Sequence, residues 1–128
     1  MVKSPHVLIA EDEASLRLLF GATLKRTGVR VTEACDGAQV LALVERDRPD
    51  LILLDVGLPK IDGHAVCRAV KSAPETADVV VVLVTARAQP ADRAEGLAHG
   101  ADEYLTKPFS PARLIEVVQR CLRDVEEH

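Results

Sequence analysis

The chain has 128 residues, a formal net charge of −4, 48% hydrophobic and 28% charged residues, and only 2% aromatic residues. That length suits one domain with one real core, filled by Val, Leu, Ile and Ala rather than by rings. The composition excludes a disordered chain, and an acidic balance with no Lys/Arg block or stacking aromatics argues against direct nucleic-acid binding.

Val7-Leu8-Ile9-Ala10 is a continuous apolar run, the pattern of a strand buried on both faces. A helix is expected next, with Leu16, Leu19, Phe20 and Leu24 on one stripe and Gly28 stopping it. Val29 to Ala34 alternates apolar and polar residues, as a half-exposed strand does. Asp36 is placed to cap a second helix bearing Val40, Leu41 and Val44, and Pro49 closes the connection behind it. Leu51-Ile52-Leu53-Leu54 is a second wholly apolar strand, followed by the turn-rich stretch Asp55 to Gly63. A third helix, from His64 to Ser72, leads to the strongest strand signal, Val79 to Val84. A fourth helix is expected from near Pro90, and a short last strand at Glu103 to Thr106. Ser110 as N-cap and Pro111 at the first helical position open the final helix, with Leu114, Val117, Val118, Cys121 and Val125 as its stripe.

Strand and helix thus alternate five times, which predicts an α/β fold, a (βα)5 three-layer sandwich around a parallel five-stranded sheet. The first, third and fourth strands are continuously apolar, whereas the second alternates and the fifth is short. The order 2-1-3-4-5 puts the two weak strands on the edges and keeps every crossover short and right-handed; it is the order known from flavodoxin-like folds. Residues 1–128 are expected to form this single domain.

Cys35, Cys67 and Cys121 are scattered without CxxC spacing, and His6, His64, His99 and His128 are equally dispersed. A disulfide framework or a zinc site is not expected. Met1 to Pro5 lacks the apolar stretch of a signal peptide, and no run reaches the length of a membrane span, so a cytoplasmic protein is expected.

Ligands of such sheets bind beyond the carboxyl ends of the strands, where the strand order reverses. Glu11 and Asp12 follow the first strand, Asp55 the third, Thr85 ends the fourth and Lys107 follows the fifth. Each has an ordinary explanation alone: acids charge a helix start, Asp55 suits a turn, Thr85 suits a strand and Lys107 a solvated surface. Together these explanations fail, because four separate loops would have to deliver these groups to one edge by chance. Clustered carboxylates repel one another unless a cation sits among them, and an incomplete all-oxygen cage favours Mg²⁺, whose open positions accept phosphate oxygens. A carboxylate can itself be the nucleophile and form an aspartyl phosphate, with lysine and hydroxyl stabilising the transferred charge.

The segments VLIAEDE at 7–13, LILLDVGLPKIDG at 51–63, VVLVTA at 81–86 and GADEYLTKPF at 100–109 resemble, in this order and spacing, the receiver domains of bacterial-type response regulators. The resemblance covers essentially the whole chain. It implies a phosphorylation-activated switch of two-component signalling, not an enzyme beyond its own phosphoryl transfer and autodephosphorylation. It implies that Asp55 is the phosphoacceptor and a metal ligand, that Asp12 binds Mg²⁺ directly and Glu11 through water, and that the Gly57 carbonyl completes the protein's ligands. Thr85 and Lys107 would each bond a phosphoryl oxygen, and the Lys107–Pro108 peptide would be cis. Tyr104 would swing inward as Thr85 moves, changing the face formed by the fourth helix, fifth strand and fifth helix; its ordinary reading is an edge-strand ring half packed on a helix. The implied partners are a histidine kinase or histidine phosphotransfer protein upstream and an effector protein, or an output domain, downstream.

Two features depart from the family pattern. Gly57 stands where a side chain usually covers the site, with Arg87 placed to compensate, and Arg113 stands where many DNA-binding members carry an acid, which leaves their charge-paired dimer and the oligomeric state open. Three rival readings remain. An aspartyl-nucleophile phosphatase needs a second acid two residues after Asp55, where Gly57 cannot serve. A flavin binder needs a phosphate loop after the first strand, where acids stand. A degenerate receiver acting as a constitutive interaction module would not need the intact site.

Overall fold

A computed structural model describes residues 4–86, 94, 98 and 100–126, with side chains as far as 123. The strands are β1 (His6–Ala10), β2 (Arg30–Ala34), β3 (Leu51–Asp55), β4 (Val80–Thr85) and β5 (Glu103–Thr106). The helices α1 (Ala14–Lys25), α2 (Gly37–Arg46) and α3 (Gly63–Ser72) join the first four strands, and a C-terminal helix spans Pro111–Glu126. All strands are parallel, in the order β2-β1-β3-β4-β5. The fold is the flavodoxin-like sandwich. The fourth helix expected near Pro90 lies outside the described residues, except for Ala94 and Ala98, both helical.

Period-two alternation divides the strand residues between two apolar layers. Val7, Ile9, Leu51, Leu53, Val82 and Val84 face α1 and the C-terminal helix, meeting Phe20, Leu24, Leu114, Val117 and Val118. Leu8, Ile52, Leu54, Val81 and Leu83 face α2 and α3, meeting Val40, Val44, Val66, Cys67 and Val70. Each such leucine or valine contributes about 1.5–3 kcal/mol by leaving water. The helix starts behave as their sequences direct: Asp36 accepts from the Gln39 N–H at 2.7 Å, Asp62 from Ala65 at 2.9 Å and Ser110 from Arg113 at 3.1 Å.

One expectation about α1 fails. Leu19 is 51% exposed, beside Leu18 at 68%. The side-chain position at Gly21 lies 3.8 Å from Val31 and 3.9 Å from Ile9, so α1 leans on β1 and β2 through a residue without a side chain. The buried arc is Phe20, Gly21, Thr23 and Leu24, which leaves Leu19 at its edge, turned to solvent. On the C-terminal helix Leu122 joins the buried stripe, while Val125 lies outside the described side chains. Cys67 and Cys121 are buried and Cys35 exposed, all three as free thiols, and burial pushes Cys67 up to about 11. Among the described residues no helix is long and apolar enough to cross a membrane.

Candidate phosphoacceptor site

The parallel register brings the strand ends level. Ala10 pairs with Leu54, Asp55 with Val84 and Thr85 with Thr106, so the residues that follow open on one edge. Glu11, Asp12 and Asp55 present carboxylate oxygens that all lie within 4.8 Å of one another. Lys107 Nζ donates to Glu11 Oε1 at 2.7 Å and to Asp55 Oδ2 at 3.2 Å. Its backbone N–H donates to the Thr85 carbonyl at 2.7 Å, which ties the lysine to the end of β4, and the Lys107–Pro108 bond is cis. The sequence-derived residues Glu11, Asp12, Asp55 and Lys107 are therefore brought together, with Thr85 buried on the strand next to Asp55.

Burial sorts the acids. Glu11 is 2% exposed, whereas Asp12 is open to solvent and Asp55 is half-buried. Desolvation pushes the Glu11 carboxyl above its ordinary value, with the Asp55 charge adding to it, against the hydrogen bonds from Lys107 and Glu13. Burial alone would pull the Lys107 ammonium down, but the Glu11 hydrogen bond and the charges of Asp55 and Glu11 outweigh it and hold it above the usual lysine value. Among the described residues, three carboxylates against one ammonium leave the cluster short of positive charge. Carboxylate oxygens converging in that state fit a hard divalent cation.

The loop after β3 is fixed by contacts the sequence did not announce. Val56 N–H donates to the Val84 carbonyl and Gly63 N–H to the Val56 carbonyl, each at 2.9 Å. A Cβ on Gly63 would stand 2.4 Å from the Asp55 carbonyl oxygen, and one on Gly37 would stand 1.9 Å from that of Ile61. Both glycines let a helix N-terminus close on the backbone that carries Asp55, whereas in sequence Gly63 reads only as the end of a turn. Gly57 N–H donates to Asp55 Oδ1 at 3.0 Å, and a Cβ on Gly57 would meet only that oxygen, at 3.7 Å. Among the described residues nothing else covers the site there. Arg87 lies outside the described residues. Tyr104 is 6% exposed, within the apolar layer of Leu83 and Val81, deeper than the half-packed ring expected of an edge strand.

The family model for the response regulator receiver domain matches residues 7–119. The chain belongs to that family. It is a receiver domain of two-component signalling, a signalling module, and its Glu11–Asp12–Asp55 cluster is consistent with a phosphoacceptor site able to bind a metal. It is 40% identical over 119 residues to a DNA-binding dual master transcriptional regulator, RpaA, of a Synechocystis strain, covering 93% of this chain and 49% of that protein. It is 37% identical over 126 residues to the probable transcriptional regulator ycf27 of Porphyridium aerugineum, covering 98% of this chain and 51% of that one. The chain therefore spans about half the length of these relatives. Among solved structures, the chemotaxis response regulator CheY4 of Vibrio cholerae superposes with a TM-score of 0.89 at 32% identity, covering 93% of this chain and 99% of that one.

Proposed function

We propose that Asp55 accepts a phosphoryl group from a phosphohistidine, donated by a histidine kinase or a histidine phosphotransfer protein. The observation that carries this reading is the single ammonium of Lys107 bridging Glu11 and Asp55 inside a cluster of acids. An Asp55 carboxylate oxygen forms the new bond to phosphorus as the bond to the donor nitrogen breaks. The electron pair of that bond stays on the donor imidazole, which then takes up a proton. Asp55 Oδ1 accepts from the Gly57 N–H and Oδ2 from Lys107, so the carboxylate is oriented before the donor arrives, with lone pairs left for attack. Lys107 then moves its hydrogen bond from the carboxylate to a phosphoryl oxygen, and the Thr85 hydroxyl bonds another. Asp12, Asp55, the Gly57 carbonyl and, through water, Glu11 would hold Mg²⁺, which would supply positive charge for the transfer. Tyr104 follows Thr85 and alters the surface beside β5 and the C-terminal helix.

Residues 1–128 are read as one receiver domain. Its downstream partner is an effector protein or an output domain of a longer chain; the relatives described as transcriptional regulators, twice as long, favour the second. The phosphatase reading lacks a general acid at Gly57. Intact-mass spectrometry after incubation with acetyl phosphate tests the reading. One phosphoryl adduct is expected with Mg²⁺, none with EDTA and none in Asp55→Asn. A folded, Mg²⁺-binding protein without an adduct would support the constitutive interaction module instead.

A further inference from the structure

The turn between β1 and α1 carries the acidic pair, yet its helix lacks an ordinary cap. Glu13 occupies the N-cap position with extended backbone, and its side chain makes no capping hydrogen bond. The turn is held through Glu11 instead. The Glu11 N–H donates to the Ala34 carbonyl at 3.1 Å. One carboxylate oxygen accepts from Lys107 at 2.7 Å and the other from the Glu13 N–H at 3.0 Å. The Glu11 carbonyl accepts from Arg17 Nη1 at 2.8 Å. The first three bonds belong to the sheet and to the site itself. The fourth arrives from one turn along α1, from a side chain with no part in the phosphoacceptor reading. Arg17 is in turn braced from β2, where its Nε lies 3.3 Å from Glu33 Oε1, and its side chain is only 22% exposed.

We propose that Arg17 is a positioning residue for the metal-binding acids. By fixing the Glu11 carbonyl it sets the peptide plane from which Asp12 departs, and so the place of the Asp12 carboxylate relative to Asp55. This rests on the metal-dependent reading given under Proposed function.

Charge and position predict opposite signs. Removing a cation beside an acidic cluster strengthens the cluster's attraction for Mg²⁺. Removing a brace that orients a ligand weakens binding, and loss of such an outer partner commonly costs about 10–100-fold in metal affinity. A side chain that only packed α1 would move the unfolding midpoint and leave the affinity unchanged.

The test is a Mg²⁺ titration followed by NMR at the backbone amides of Asp12, Asp55 and Gly57, with unfolding midpoints measured in EDTA. Arg17→Ala is expected to raise the Mg²⁺ Kd about tenfold. Arg17→Lys, which keeps a cation within reach of the Glu11 carbonyl, should recover part of that loss, and Glu33→Gln should show a smaller loss. An Arg17→Ala Kd at or below the wild-type value overturns the proposal. If Arg17→Ala does not fold, wild-type affinity in both Arg17→Lys and Glu33→Gln overturns it. Absence of Mg²⁺ binding in the wild type overturns the metal reading and this inference together, so the two failures are distinguishable.

Discussion

Lys107 donates to Glu11 at 2.7 Å across 96 positions of sequence, joining the loop after the last strand to the turn after the first. The partners are unequal, with side chains 22% and 3% exposed, so the lysine is the solvated end of a pair whose acid is desolvated. That asymmetry gives the ammonium a structural part beside the role proposed for it.

Lys107→Met should therefore lose phosphorylation and also stability. Among the described residues it leaves the buried Glu11 carboxylate with only the Glu13 N–H as a donor. Breaking a buried pair from one side costs about 3–5 kcal/mol; with Lys107 partly solvated, about 2–3 kcal/mol is expected in metal-free buffer. Adding Glu11→Gln should recover part of this, because a neutral amide tolerates burial better than an unpaired charge. Urea denaturation of the two single variants and the double variant checks it. A Lys107→Met midpoint equal to wild type would refute it.

Gly57→Met should lengthen the life of the aspartyl phosphate without preventing its formation. The added side chain starts 3.7 Å from Asp55 Oδ1, with no other described residue within 4 Å, and can screen the phosphoryl group from water. The decay of the phosphorylated protein, followed by mass spectrometry, reads this out; an unchanged half-life would refute the covering role.

Gly63→Ala should harm fold and site together. Its Cβ would overlap the Asp55 carbonyl oxygen and the Val56 backbone, neither of which is a flexible side-chain end. Overpacking of this kind costs about 1–3 kcal/mol, and the relief must come from moving Asp55. A lower unfolding midpoint with slower phosphorylation is expected; wild-type values for both would contradict the close approach.

How far the sequence could be read depended on whether a feature is periodic or is a contact. The runs at Leu51 and Val79, the caps at Asp36 and Ser110, and the order of the sheet follow from local pattern and chain connectivity, and the structure bears them out. Glu11, Asp12, Asp55 and Lys107 were legible as a group because topology alone sends the strand ends to one edge. Leu19 is exposed because α1 packs on the sheet through Gly21, a contact with Val31 that an apolar stripe does not encode. Gly63 reads as the end of a turn and Gly37 gives no signal, and only the approach of two backbones shows why a side chain is excluded at either. Arg17 gave no signal, since its partners Glu11 and Glu33 are joined by folding.

Acidification should destabilise the protein through His6, at the opposite end of β1. The imidazole is buried, its Nε2 2.6 Å from the Thr32 hydroxyl oxygen. Burial, then the Arg30 charge, lower its pKa from 6.5, against the pull of Asp47 and Asp50. The unfolded chain therefore binds the proton first as pH falls. Stability is fully present above 6.5, declines as pH drops toward the lower folded value and levels off below it. Urea midpoints of wild type and His6→Gln across that range check the sign; an equal slope in both would remove His6 as the cause.

The decisive measurement is reductive trapping of the phosphorylated protein with borohydride, followed by peptide mass mapping. An acyl phosphate on aspartate is reduced to homoserine, which marks the modified position. Homoserine at 55 alone, formed only when Mg²⁺ is present during incubation with acetyl phosphate, is the result expected here. Homoserine at Asp12 or another aspartate, 5-hydroxynorvaline at a glutamate, or no reduced residue despite a phosphoryl adduct, would contradict Asp55 as the phosphoacceptor.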